Sequence, residues 1–236
     1  MKRLLGLMAA TALAAGALPA AAQASASDTP NSLFATAAAS LGDNGGNATD
    51  KNWYDFDILA NAVVALGLDG ALKDDGPGGS GLDSATVFAP NDRAFQQLVA
   101  DITNTPWWRL SEAQTLQTLL TVAGSSNLNN TGIPGAAALK QTVLYHVSGE
   151  NITNLRSRSF GPNIATANDS VGGLLSTSIN PAFVPFVRWV SLGDGDKNDS
   201  NPLWYGRTIG ASNGTIQVIS GVLRPIDMDV LFPADD

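Results

Sequence analysis

The 236-residue sequence predicts an α+β fold, and three observations carry that expectation. Apolar residues recur with the 3.6-residue period of helices through the first half of the chain. Beyond Gly149 the period shifts toward the two of strands, and the two patterns never alternate as a doubly wound sheet requires. The third observation is compositional: 24 Gly, 12 Pro, and an acidic complement of nineteen Asp with only Glu112 and Glu150. Asp favours turns and caps where Glu favours helix interiors, so this is a loop-rich domain rather than a bundle. At 44% hydrophobic and 14% charged residues the chain can bury a core.

Residues 1–24 read as a signal peptide rather than structure. Lys2 and Arg3 precede an apolar run from Leu4 to Leu18, and Ala22 and Ala24 supply the small-x-small pattern that signal peptidase accepts. The run is short and carries Gly6, Gly16 and Pro19, which suits cleavage better than a spanning helix of about 20 residues. Cleavage after Ala24 leaves 212 of the 236 residues, and loss of Lys2 and Arg3 takes the formal charge from −8 to −10. No second apolar run would hold the mature chain in a membrane.

A linker with a first helix is expected over 25–53. Its helix runs from Leu33 to Leu41 and breaks at Gly42–Asn47. Asp57 is placed as the N-cap of a helix with Leu59, Ala62, Val63 and Leu66 on one face, ending at Gly67. Residues 73–83 are a loop by composition. Thr86–Ala89 is a short strand stopped by Pro90. Asn91 caps a helix whose stripe is Phe95, Leu98, Val99 and Ile102. Ser111 and Gln114 match a capping box ahead of Leu116, Leu119, Leu120 and Ala123. A further helix covers Ala137–Tyr145, with Leu139, Val143 and His146 on one face. Strands are expected at 174–179, 186–191, 207–209, 215–219 and 222–223. Asn213-Gly214 reads as a type I′ hairpin turn.

Thr86-Val87-Phe88-Ala89-Pro90-Asn91-Asp92-Arg93-Ala94-Phe95 resembles the first signature segment of fasciclin-like domains. The stretch from Ala211 through Asn213-Gly214 to Pro225 resembles the second, and Tyr145-His146 matches the Tyr-His segment between them. The three stand in the family's order and place the domain over 54–236. The resemblance implies a wedge of two β-sheets with helices packed at one side. It makes Asn91, Asp92, Tyr145, His146, Asn213 and Gly214 the structural signature. Two segments are longer than the family pattern, near 101–135 and 180–206, and they carry Trp107, Trp108, Trp189 and Trp204.

The absence of cysteine excludes disulfides, zinc ribbons, iron–sulfur clusters and thiol nucleophiles. The acidic balance argues against a nucleic-acid partner. Gly210-Ala211-Ser212-Asn213-Gly214 fits the nucleophile-elbow spacing, but strand residues follow it where that motif needs a helix, and His146 precedes it. No catalytic residue emerges. His146 is read as buried and hydrogen-bonded, with Asn91 or Asp92 as its partner. Asp194, Asp196 and Asn198 have the spacing that opens a calcium loop, although Asp199 and Tyr205 break the rest of that pattern. Trp107, Trp108 and Trp189 read either as core filler or as walls of an apolar groove.

The resemblance implies an extracellular, non-enzymatic module, secreted or periplasmic, that contacts a cell-surface or matrix component, protein or glycan. Some exported fasciclin-like proteins bind carotenoids, so the alternative is a carrier of a lipophilic small molecule, with carotenoid or calcium as the only cofactors in view. N-terminal sequencing of the exported protein should begin at Ser25. Recovery of membrane-bound protein with Met1 intact would show an uncleaved anchor instead.

Overall fold

The computed structural model of the chain describes residues 32–39, 51–73, 82, 84–158, 162–168, 178–183, 189–196, 201–227 and 232. The expected signal peptide, the break at 42–47, most of the loop 73–83, Asn198, and the opening residues of the strands expected at 174 and 186 lie outside the described residues. No helix among the described residues is long and apolar enough to cross a membrane.

The Ser32 hydroxyl accepts the Ala35 N–H at 2.9 Å and opens α1 (Leu33–Ala38). Helix α2 (Asp57–Ala65) ends ahead of Gly67, whose φ of +66° is the left-handed turn that glycine adopts without steric cost. Its start corrects the sequence expectation. Asp57 is the first helical residue, and the N-cap position falls on Phe56, which has no side-chain acceptor. The N–H of Ile58, left open at the helix start, is met instead by Asp92 Oδ1 at 3.0 Å, from far along the chain. Helix α3 (Asp69–Leu72) follows, then β1 (Ala85–Pro90) and α4 (Asp92–Thr103). Asn91 Oδ1 accepts from Ala94 N at 3.0 Å, and α4 buries Phe95, Leu98, Val99 and Ile102 as their spacing predicts.

Trp107–Arg109 form a 3-10 turn ahead of α5 (Glu112–Ala123), where both halves of the Ser111/Gln114 capping box are made. Helix α6 (Gly135–Tyr145) begins two residues earlier than expected, with Pro134 at its N-cap. Gly135 is required there, because a Cβ would overlap the Val122 carbonyl of α5.

The strands are β2 (Val147–Ser148), β3 (Ile164–Ala165), β4 (Ser178–Phe183), β5 (Val190–Gly193), β6 (Leu203–Ala211) and β7 (Gly214–Ile219). Among the described residues they form one mixed sheet in the order β2-β1-β7-β6-β5-β4-β3, in which only β1 and β7 run parallel. The α+β class expected from the sequence is the one observed. Val222 and Leu223, expected as strand, are buried outside it. Pro90, which pairs with Ile219, ends β1 and has no N–H with which to extend the ladder.

Both β1 and β7 are buried along their whole length because each face is covered. Alternation sends Val87, Ala89, Ile216 and Val218 into a large core with α2, α4 and α5. Phe88 and Ile219 point the other way, into a second core with Tyr145, Leu155, Val190 and Trp204. Polar residues on that second face are paired by residues 150–152. Thr86 Oγ1 donates to Glu150 O at 2.6 Å and accepts from Ile152 N at 2.7 Å, while Gln217 Nε2 donates to Ile152 O.

The β6–β7 hairpin also departs from expectation. Ala211 pairs with Gly214, so the turn residues are Ser212 and Asn213, and Gly214 is the first residue of β7. Glycine is needed for close approach, since a Cβ on Gly214 would overlap the Ala85 carbonyl of β1. The Asn213 side chain is buried and bridges segments distant in sequence. Its Oδ1 accepts from Leu33 N at 2.8 Å, and its Nδ2 lies 3.3, 3.2 and 3.1 Å from the carbonyls of Leu72, Lys73 and Leu82. Asn213→Ala should therefore destabilise the fold by about 3 kcal/mol, because buried backbone groups lose their partner. A denaturant midpoint equal to that of the parent would show that Asn213 carries no such role.

Candidate functional site

The signature residues are staples between elements. His146 sits just past the end of α6, where its Nδ1 lies 2.7 Å from Thr142 O and donates to it. Nε2 accepts from Leu223 N at 2.8 Å. This corrects the expected partnership with Asn91 or Asp92: the ring satisfies an open carbonyl of its own helix and the chain leaving β7. Burial, only partly offset by the Thr142 carbonyl, pushes its pKa down to about 4, so the ring is neutral. Tyr145 is fully buried in the second core.

Asp92 belongs to a cluster that the sequence signalled only weakly, through the paired Asp55 and Asp57. Acceptor atoms of Asp55, Asp57 and Asp92 all lie within 4.8 Å of one another, with Asp57 and Asp92 buried and Asp55 half-buried. Burial raises the Asp92 pKa to about 9; the Ile58 N–H opposes the rise, and Asp55 and Asp57 add to it. Three carboxyls at this separation cannot all ionise without a counter-ion, so the cluster holds a proton, or a cation in its place.

Asp194 and Asp196, spaced like the opening of a calcium loop, both bond Arg224, Asp194 at its backbone N–H and Asp196 at its guanidinium. Asp194 Oδ1 accepts from Asp196 N and Oδ2 from Arg224 N, at 3.1 and 2.7 Å. Asp196 Oδ2 lies 3.2 Å from Arg224 Nη1, and Asp101 Oδ2 lies 2.6 Å from Nη2. The Asp-Gly-Asp turn thus clamps the segment that follows β7. Asn198 lies outside the described residues.

The core-filler reading does not hold for Trp107 and Trp108. They are 38% and 66% exposed, so they are not core, and they do not line the apolar groove described below. They meet edge to face at 5.4 Å, and the Arg93 guanidinium stacks 3.5 Å above the Trp107 ring. Arg93 is anchored in turn: its N–H donates to Trp53 O at 3.0 Å, and Nη1 donates to Gln96 Oε1 at 2.8 Å. Beside Trp53, Tyr54 is 71% exposed. Trp189, 37% exposed, packs edge to face with Tyr205 at 6.1 Å. Sequence reasoning missed Arg93 as a member of this face, because only packing brings its guanidinium onto Trp107.

An apolar groove lies at the other end of α4. Leu98 and Ile102 of α4, Leu119 of α5, Leu139 of α6, Pro225 and Phe232 contribute to its lining. Its volume is about 40 Å³, room for a few water-sized groups.

A family model described as Fasciclin domain matches residues 54–225. No curated protein matches the chain. Among solved structures the chain is similar to a FAS1 domain pair from the insect cell adhesion molecule Fasciclin I, at 14% identity and a TM-score of 0.36. That match covers 83% of this chain and 46% of the other, so the chain spans about half the length of the pair.

The two shifted groups give stability opposite pH dependences. His146, depressed when folded, contributes stability that is complete above the unfolded value of 6.5 and lost as pH falls toward 4. Asp92, raised when folded, contributes stability that is complete below 3.8 and lost as pH rises toward 9. Between pH 6.5 and 9 only Asp92 acts, so the denaturant midpoint should decline across that window. Asp92→Asn, which keeps an oxygen acceptor for Ile58, should flatten the decline. An identical slope in parent and variant would remove Asp92 as its source.

Proposed function

Because the chain belongs to the fasciclin domain family, we propose that it is an exported, non-enzymatic adhesion module that contacts a cell-surface or matrix component. The observation that carries this reading is the solvent-facing pair of Trp107 and Trp108 with Arg93 stacked on it, together with the exposed Tyr54 next to Trp53, whose carbonyl holds the Arg93 N–H. Large aromatic rings left in water on a rigid support, beside a guanidinium, have the composition of binding hot spots. The support is rigid because the 3-10 turn runs directly into the capping box of α5. The signature polar residues join elements of the fold and are not arranged as nucleophile, base and oxyanion donor, which favours binding over catalysis.

The alternative is a lipophile carrier, favoured by the apolar groove at the far end of α4. At about 40 Å³ that groove must open before it admits a carotenoid or similar chain, and Trp107 and Trp108 do not line it. A carrier would co-purify with an extractable pigment or lipid and show absorbance above the aromatic band.

Under the adhesion reading, Trp108→Ala combined with Tyr54→Ala should reduce attachment of cells or matrix to the immobilised protein at least ~tenfold. The denaturant midpoint should stay within about 0.5 kcal/mol of the parent, because both rings are exposed. Undiminished attachment by the double variant would remove this face from the function.

A further inference from the structure

Independently of the adhesion reading, we propose that Asp55, Asp57 and Asp92 form a calcium site that pins the segment ahead of α2 to the start of α4. One oxygen of each lies within 4.8 Å of those of the other two. Oxygens bound to one calcium ion, each about 2.3–2.6 Å from it, are at most about 5 Å apart. The three can therefore share an ion as they stand. Backbone contacts fix the grouping. The Asp92 N–H donates to Asp55 O at 3.2 Å, and the Arg93 N–H donates to Trp53 O at 3.0 Å. Asp92 Oδ1 accepts from Ile58 N at 3.0 Å, one residue past Asp57.

Grouped acids alone signify little on a chain with 21 Asp and Glu. What points to a ligand is Asp92 itself. The residue is fully buried, its Oδ1 is taken by Ile58, and its Oδ2 has no hydrogen-bond partner among the described residues. A carboxylate oxygen shut away from water needs a donor or a cation. Asp55, beside it, is also a carboxyl and can hydrogen-bond it only through a shared proton. No ion pair among the described residues reaches Asp92. Asp194 and Asp196, engaged with Arg224, take no part.

Charge balance favours a divalent ion over that proton. Asp57 and Asp92 are the first residues of α2 and α4, and each helix start carries roughly +0.5 of dipole charge. Three carboxylates against two such ends leave about −2, which one divalent cation offsets and one proton only halves. Donors that are all oxygen select hard ions. Calcium takes about six to eight oxygens in flexible geometry, whereas magnesium demands a near-ideal octahedron. Asp55 is half-buried, which leaves a side from which the ion enters and on which water completes its shell. The ion joins the Asp55 loop, α2 and α4, so its binding energy becomes folding energy.

The test is titration of the full chain with calcium chloride, read by calorimetry and by denaturant midpoint, after dialysis against EDTA. At a Kd of about 1 mM or tighter, as in extracellular modules, about 10 mM calcium should lower the unfolding equilibrium constant tenfold or more. Magnesium at the same concentration should lower it about threefold or less. Asp57→Asn should abolish the calcium response. In EDTA its midpoint should lie at or above the parent's, because one of three crowded charges is gone. Asp92→Asn, which keeps the acceptor for Ile58, should abolish the response as well. A parent midpoint unmoved by calcium overturns the inference and leaves the cluster to a shared proton. A magnesium response equal to that of calcium, or a calcium response that persists in either folded variant, also overturns it, since each marks general screening of an acidic chain.

Discussion

The parallel contact between β1 and β7 is the constraint on which the rest of the structure depends. Parallel neighbours cannot be joined by a tight turn, so nearly the whole domain serves as the connection between them. Pairing Ala85–Pro90 with Gly214–Ile219 sets the two signature stretches side by side and gives the domain two buried faces, hence two cores. Such a contact forms only after a long loop has closed, and it needs matching surfaces to offset that entropy. The glycine opposite Ala85 allows the strands to approach, and Asn213 one residue earlier ties in α1 and the segment around Leu72–Leu82.

The residues leaving each of these strands extend the same logic. Asp92, two residues past β1, satisfies the start of α2; Leu223, four past β7, binds the ring that closes α6. Helix termini are thus completed by tertiary partners, and that locks helix positions to the sheet. His146 works uncharged because burial depresses its pKa, and Asp92 sits in a desolvated carboxyl cluster that raises its own. Ionising either group in a desolvated site without a counter-ion costs more than its hydrogen bonds return.

With the signature residues absorbed in holding the fold, the proposed adhesion function rests on segments around them. The 3-10 turn at Trp107–Arg109 lies on the surface between α4 and α5, where change does not disturb the strand pair. It is nonetheless well held, by the capping box of α5 behind it and by Arg93 stacked on Trp107. A surface of this kind combines exposed rings with little conformational freedom, which lowers the entropic cost of binding.

The sequence by itself determined the α+β class, the stripes of α4 and α5, the Asn91 cap, the Ser111/Gln114 capping box and the family. Each of these is a local signal, a period of 3.6 or two, a cap three residues from its target, or a contiguous motif. Only the tertiary structure decided the partner of His146, the acceptor for Ile58, the use of Asp194 and Asp196 on Arg224, and the exposure of Trp107 and Trp108. A polar side chain advertises its need for a partner but not which distant segment will supply one. An aromatic residue states its apolar area but not whether the packed chain will cover it. The stack of Arg93 on the Trp107–Trp108 pair was illegible for the same reason: its members come from two separate stretches of chain, and only packing at folding joins them.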